Sequence, residues 1–322
     1  MNQAFRKILP SVLMLACGSV FAQAYPAKPV TVVIAFGPGA STDTETRIYT
    51  QKLTENTGKP FVIDYKPGAG TTIGNNYVAK SAPDGYTLQG ITGSFSTSAA
   101  LYPKLPYDPI KDFDPISLMS QRTTLVVTHP NAPFKTFKEY VAYGRANPGK
   151  VNVATTGSGG SPHLNSVWFN DLLNIKATYV HYKGSAPAQT DLVAGRVDLY
   201  LTTGLGALPM MKAGKMVALA LANPERSPMF PDLVPASDMG ASGFDYASIY
   251  GIIAPAGVPR PIVNRLVGEL QKLAKDPGVV KRIENDGGYM VAGTPEQFRK
   301  TIIAEIARYR KIAQDNNIQL EE

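Results

Sequence analysis

The side chains able to do covalent or metal chemistry are few: one cysteine, Cys17, and three histidines, His129, His163 and His181. The histidines stand far apart in sequence with no acid or thiol beside them, so neither a metal site nor a nucleophile with its base is indicated. Gly144-Arg145-Ala146-Asn147-Pro148-Gly149-Lys150 imitates a phosphate-binding loop, but Val151 stands where Ser or Thr must hold magnesium and the segment follows a helical pattern. Gly37-Pro38-Gly39-Ala40-Ser41-Thr42 follows a strand pattern yet lacks the third glycine of a dinucleotide fingerprint, and no Gly-x-Ser-x-Gly elbow occurs.

What recurs is a turn rich in glycine and hydroxyls at the start of a helical pattern. Phe36 to Asp43 forms one, Thr155 to His163 a second, and Lys183-Gly184-Ser185-Ala186-Pro187 a third. A helix start exposes unpaired N–H groups and partial positive charge, glycine lets an anion approach the backbone, and Ser or Thr adds donors. That chemistry holds a carboxylate. Ser41, Thr42, Ser161 and Ser185 could instead be ordinary N-caps, each contributing about 1 kcal/mol to its own helix. Three such loops in two halves of the chain favour a cleft that clamps a small anion. None contains arginine, so backbone and hydroxyl donors, some through bridging water, form the expected clamp.

The elements that must carry these loops repeat one phrase: a β-branched run, a Gly/Ser/Thr loop, a helical pattern. Val30 to Ala35 leads to Phe36–Asp43 and a helix to about Thr57, closed by Gly58. Val62-Ile63-Asp64 leads to Pro67-Gly68-Ala69-Gly70 and a helix through Ala79, and Tyr86 to Ile91 is another strand. After a Pro-rich stretch, Leu101 to Pro115, the alternation restarts at Leu125–Thr128, Val151–Ala154, Lys176–Tyr182 and Val197–Leu201. A strand near Tyr250–Pro255 and two long amphipathic helices, about Arg260–Lys275 and Pro295–Asn316, close the chain. This alternation predicts mostly parallel sheets flanked by helices, with the ligand crevice at the carboxyl ends of the strands. The expected layout is one discontinuous domain, residues 25–123 and 251–322, and an inserted domain, residues 124–250. The chain then crosses near 120–126 and 246–254, which makes a hinge.

The 322 residues suit two domains, and 18% charged residues with 29 Gly and 26 Pro describe a loop-rich globular protein. Residues 1–24 read as a secretory leader: Arg6 and Lys7, an apolar run from Ile8 to Ala16 broken by Pro10 and Ser11, then Ala22-Gln23-Ala24 with cleavage after Ala24. Met14-Leu15-Ala16-Cys17 is a poor lipoprotein box, because bulky Leu15 occupies a small-residue position. Removing Arg6 and Lys7 takes the net charge from +7 to +5. Basic and acidic residues alternate, without basic clusters interleaved with aromatics, so no nucleic-acid partner is expected. The exported chain is expected in a periplasm, without thiol or cofactor, as a monomer.

At these same residues the sequence resembles the substrate-binding components of tripartite tricarboxylate transporters, the Bug family of periplasmic proteins. The marks are Tyr25-Pro26-x-Lys28-Pro29, Pro38-Gly39-x-Ser41-Thr42-Asp43, Lys66-Pro67-Gly68-Ala69-Gly70, Pro83-Asp84-Gly85-Tyr86-Thr87-Leu88 and Leu105-Pro106-Tyr107-Asp108-Pro109. Gly157-Ser158-Gly159-Gly160-Ser161-Pro162-His163 and Tyr182-Lys183-Gly184-Ser185-Ala186-Pro187-Ala188 complete them. The resemblance implies an α/β two-domain periplasmic-binding-protein fold of the type II, Venus-flytrap kind, closing on a carboxylated solute. It implies that Gly37–Asp43 and Thr155–His163 grip one carboxylate, and that the partner is a membrane permease or, in some relatives, a sensor. Phe36-Gly37-Pro38-Gly39-Ala40 departs from the more frequent Phe-Pro-Pro-Gly-Gly by a methyl at Ala40.

The expected ligand residues are therefore Phe36, Gly39, Ala40, Ser41, Thr42 and Asp43 in the first loop, and Thr156, Ser158, Gly160, Ser161 and His163 in the second. Ser94 and Phe95 follow a strand and should face the same crevice. Phe36 and Phe95 could flank a ring, favouring an aromatic acid such as terephthalate, or be core. Thr202 and Thr203, at another strand end, could take the far carboxylate of a diacid. A secreted hydrolase using a Ser and a His, and an interaction protein without a small ligand, are the rival classes.

Overall fold

The computed structural model describes residues 25–318. The expected leader over residues 1–24, its cleavage after Ala24 and the alternative at Cys17 lie outside the described residues.

The first part of the chain runs β1 (Val30–Ile34), α1 (Ser41–Thr57), β2 (Phe61–Tyr65), α2 (Thr72–Ala79), β3 (Thr87–Thr92), α3 (Ser94–Leu101) and β4 (Phe113–Arg122). One residue later it enters a second sheet: β5 (Thr124–Thr128), α4 (Phe137–Ala146), β6 (Val151–Thr156), α5 (Ser161–Leu172), β7 (Ala177–Tyr182), α6 (Ser185–Val193), β8 (Leu199–Thr203), α7 (Gly204–Lys212) and β9 (Val217–Leu221). It returns through β10 (Ser248–Pro255), α8 (Arg260–Leu273), α9 (Pro277–Asn285), β11 (Gly288–Met290) and α10 (Pro295–Asp315).

The six-stranded sheet has the order β11-β4-β10-β3-β1-β2 and the five-stranded sheet β7-β6-β8-β5-β9. Each holds a parallel trio, β3-β1-β2 and β7-β6-β8, while β10, β4 and β11 in one and β5 and β9 in the other pair antiparallel. The sheets are thus mixed rather than mostly parallel. The antiparallel strands β4, β5 and β10 are those flanking the crossings at Thr123 and before Ser248, where the chain changes sheet and reverses.

Continuous apolar runs make the central strands. Val30-Thr31-Val32-Val33-Ile34 is buried except for Thr31, as a strand covered by helices on both faces must be. Val30 and Val32 pack with Ile48 and Leu53 of α1 and with Val263, Leu266 and Leu270 of α8. Val33 faces the opposite layer with Phe95, Phe298 and Ile302. In the second sheet Val151 and Val153 pack with Phe169 and Tyr140, while Ala154 faces Ala188 and Leu192. Between the two halves, Leu164 and Val167 of α5 pack on Tyr309 and Ile312 of α10. This contact is a third link between the halves, additional to the two expected crossings. Among the described residues no helix is long and apolar enough to cross a membrane.

Candidate functional site

Parallel strands place their carboxyl ends on one edge. β1 and β3 lead there into α1 and α3; β6, β7 and β8 lead into α5, α6 and α7. The two edges face each other, because a Cβ placed on Gly93 would lie 3.0 Å from Ser161 Oγ and 3.4 Å from Ser161 Cβ. Gly93 follows β3 and Ser161 opens α5, so the loops of the two sheets meet.

Most of the helices on these edges start without a side-chain cap, α7 with its Thr203 cap apart, as α8 also does elsewhere. α4 and α10 open on capping boxes, Thr136 with Glu139 and Thr294 with Gln297, and Asp276 caps α9. α1, α3, α5 and α6 begin after Ala40, Gly93, Gly160 and Gly184, with no side-chain cap. Ser41, Ser94, Ser161 and Ser185 are therefore first helical residues, not N-caps. Their helices keep first-turn N–H groups directed along the helix axis, where an anion gains about 0.3–2 kcal/mol from the helix dipole. Gly39, Gly157 and Gly159 have φ of +82°, +76° and +69°. This left-handed region favours glycine, and it lets both loops turn back onto their helices.

The candidate residues divide into two groups. Ser41 and Ser158 are exposed, Gly39 with them, and Phe36, Ala40, Ser94, Thr156, Gly160 and Thr203 are half-buried, so these line the accessible edge. Thr42, Asp43, Phe95, Ser161, His163 and Thr202 are buried. Phe95 packs edge-on against Phe113 at 5.1 Å in the core, as in the second of its two expected readings, while Phe36 is half-buried. Asp43 holds the first loop, accepting from Gly39 N and from the Tyr65 hydroxyl at 2.8 Å each and pairing with Arg47 at 2.7 Å. Burial alone would raise its pKa, but these donors outweigh burial and hold the carboxyl below the usual carboxylate range. Asp43 is thus engaged within its own loop, and Thr42 turns inward beside it.

His163 does the same for the second loop. Its Nδ1 accepts the Gly159 N–H at 3.1 Å, and its ring meets His181 at 4.5 Å and Tyr179 at 5.3 Å. Burial, and then the neighbouring His181, push its pKa down to about 4, so the neutral ring is the acceptor at ordinary pH. His181 Nδ1 bonds Thr155 Oγ1 at 2.7 Å. Thr203 caps α7 weakly, receiving Gly206 N at 3.4 Å.

Four tyrosines absent from the sequence-based set stand beside the loop hydroxyls. Tyr250 of β10 lies beside Ser41, Tyr246 beside Ser161 and Ser248, and Tyr200 of β8 beside Ser185 and Thr202. Tyr309 of α10 is 3.2 Å from Ser161 Oγ. All four are buried, and burial pushes each phenol upward, so they stay neutral. The signal available was a tyrosine hydroxyl inside an apolar strand, as in Ser248-Ile249-Tyr250-Gly251, which reads equally well as core.

Arg122, the last residue of β4, reaches the same edge but is engaged by Glu45, and its Nη1 donates to the Asp286 carbonyl at 2.6 Å. Glu45 also accepts from Tyr49 and Ser120. This buried cluster anchors α1 beneath its loop and supplies no free arginine fork. Two cavities of about 380 and 510 Å³ lie elsewhere, one between α1 and α8 around Lys52 and Glu269, the other beside α4 around Phe137 and Met239. Neither is lined by the loops. Among the described residues no cluster of three or more His, Cys, Asp or Glu is placed to hold a metal ion.

Two mixed sheets with opposed strand edges and glycine-rich loops leading into uncapped helices define the architecture of a periplasmic binding protein. The chain belongs to the tripartite tricarboxylate transporter receptor family, whose model matches residues 46–318. It is 30% identical over 303 residues to protein BugT of Bordetella pertussis, covering 94% of this chain and 93% of that one. Among solved structures it is similar to Rpa4515 of Rhodopseudomonas palustris with adipate, at 30% identity and TM-score 0.79, covering 92% of this chain and 99% of that one. It is also similar to MatC of Rhodopseudomonas palustris with bound malate, at 32% identity and TM-score 0.75, covering 89% and 99%. The family is one of solute-binding receptors located in the periplasm.

Proposed function

We propose that this receptor captures a small dicarboxylate between its two sheets and delivers it to the membrane permease of a tripartite tricarboxylate transporter. The observation that carries the reading is that α1, α3, α5 and α6, which open on facing strand edges, start after a small Ala or Gly with no side-chain cap on their first-turn amides. One carboxylate is held between the first-turn amides of α1 and α5, with Ser41 and Ser158 as nearby hydroxyls; Ser94 and Thr203 take the far end. Residues 25–123 and 251–322 form one domain and 124–250 the other, swinging about 120–126 and 246–254, and export follows cleavage after Ala24.

Adipate and malate, found in the two relatives, support an aliphatic diacid. An aromatic acid such as terephthalate rested on a ring sandwich, for which Phe95 is not available. Thermal melting with adipate, malate, succinate, citrate and terephthalate tests the proposal: an aliphatic diacid should raise Tm and be recovered unchanged. No shift with any of them would refute the receptor reading, and turnover abolished by His163→Ala would favour the hydrolase.

A further inference from the structure

Tyr309 belongs to α10, in the half of the molecule built on the six-stranded sheet, yet its hydroxyl is in the hydrogen-bond network of the opposite loop. It lies 3.2 Å from Ser161 Oγ and receives Asn165 Nδ2 at 3.0 Å. Asn165 Nδ2 also reaches Ser161 Oγ at 3.1 Å and the Ser161 carbonyl at 2.8 Å. Asn165 donates to the phenol oxygen, and where the phenol in turn donates to Ser161 Oγ the Ser161 proton is left to point away from α10. The ring beneath is fixed by Leu164, Val167 and Ile312, and the neighbouring Arg308 guanidinium lies 4.5 Å from the Trp168 ring. At the far end of the contact, Asn316 Nδ2 donates to Asp171 Oδ2 at 2.7 Å.

We infer that Tyr309 is a positioning residue for the ligand site: it sets the orientation of the Ser161 hydroxyl and holds the start of α5 at the height where its first-turn amides meet those of α1. The inference rests on the carboxylate reading of the site. It gives α10, remote in sequence from every glycine-rich loop, a direct part in recognition. A phenol buried only for packing would use its ring and leave the hydroxyl to any partner. Here both partners of the hydroxyl, Asn165 and Ser161, belong to the opposite half, and Ser161 is a residue of the candidate loop.

Tyr309→Phe keeps the ring and removes the hydroxyl. Adipate titrated into the wild type and this variant should show a dissociation constant raised roughly 5- to 20-fold, the loss of one hydrogen bond in a charged site, while Tm stays within about 2 °C. In a Ser161→Ala background, Tyr309→Phe should add less than about twofold, since the hydroxyl it orients is gone. Amide exchange without ligand is the second reading: His163, Leu164 and Asn165 should exchange several-fold faster in Tyr309→Phe. Unchanged affinity together with unchanged exchange would overturn the inference, as would a lower Tm with wild-type affinity, the mark of a purely structural phenol. If the wild type binds no adipate, the carboxylate reading fails for that acid, and exchange alone decides whether Tyr309 orders the loop.

Discussion

Gly93→Ala probes the facing of the two loops most sharply. The backbone there is right-handed, φ −52° and ψ −17°, so alanine brings no conformational strain. Its methyl would lie 3.0 Å from Ser161 Oγ and 3.4 Å from Ser161 Cβ, both across the junction, and 3.9 Å from the Tyr309 hydroxyl of its own half. The cost therefore falls on the approach of the halves and not on either sheet. Overpacking of this kind costs about 1–3 kcal/mol, which converts to a diacid bound about 5- to 150-fold more weakly. Calorimetry with the acid giving the largest thermal shift measures it, and small-angle scattering should show the liganded variant larger than the liganded wild type. Ser161→Ala removes the nearest atom and leaves only the 3.4 Å contact, so Gly93→Ala should cost far less in that background. Wild-type affinity in Gly93→Ala alone would refute the facing of Gly93 and Ser161 in the bound state.

Three further outcomes follow from buried groups. Arg122→Met should lower stability by about 3–5 kcal/mol by leaving Glu45 buried and unpaired, and Glu45→Leu added to it should recover most of the loss; urea unfolding of the single and double variants decides. Asp43→Asn should loosen the first loop by weakening its grip on Gly39, raising the dissociation constant several-fold with little change in Tm. His163 and Glu305 oppose each other in pH. The histidine binds protons less well folded, at about 4 against 6.5, so its contribution is full above 6.5 and is lost as pH falls toward 4. Glu305, fully enclosed beside Ser96, is raised by burial to about 7 from 4.5; its contribution is full below 4.5 and is lost as pH rises through 7. Melting curves from pH 4 to 8 should show Glu305→Gln gaining relative stability toward neutral pH and His163→Gln losing less than wild type toward acid pH.

The strand, loop and helix phrases were legible because their signals are local: α1 ends at Thr57 before Gly58, and α2 ends at Ala79, both as read. β4 and β9 were not. In β4, Pro115 and the polar Ser117, Ser120 and Gln121 break the apolar run, though Ser117 and Ser120 are wholly buried between neighbouring strands. α3 is not legible as a helix, its start showing only as Ser94 and Phe95 after a strand, because Ser and Thr mark turns as readily as a buried helix start. Phe36 and Phe95 each follow a strand, and nothing local separates them; the second turns inward because α3 packs on Phe113. The tyrosines at the site come from β8, the segment just before β10, β10 and α10, joined to the loops only by the fold.

The most direct measurement of the central claim is amide chemical-shift mapping during titration with that acid. Saturable one-to-one changes concentrated at Gly39–Asp43 and Ser158–His163, with smaller ones at Ser94 and Thr203, are the predicted result. Changes confined to the cavity around Lys52 and Glu269, or none at all while Tm rises, would contradict capture of the carboxylate between the two uncapped helices.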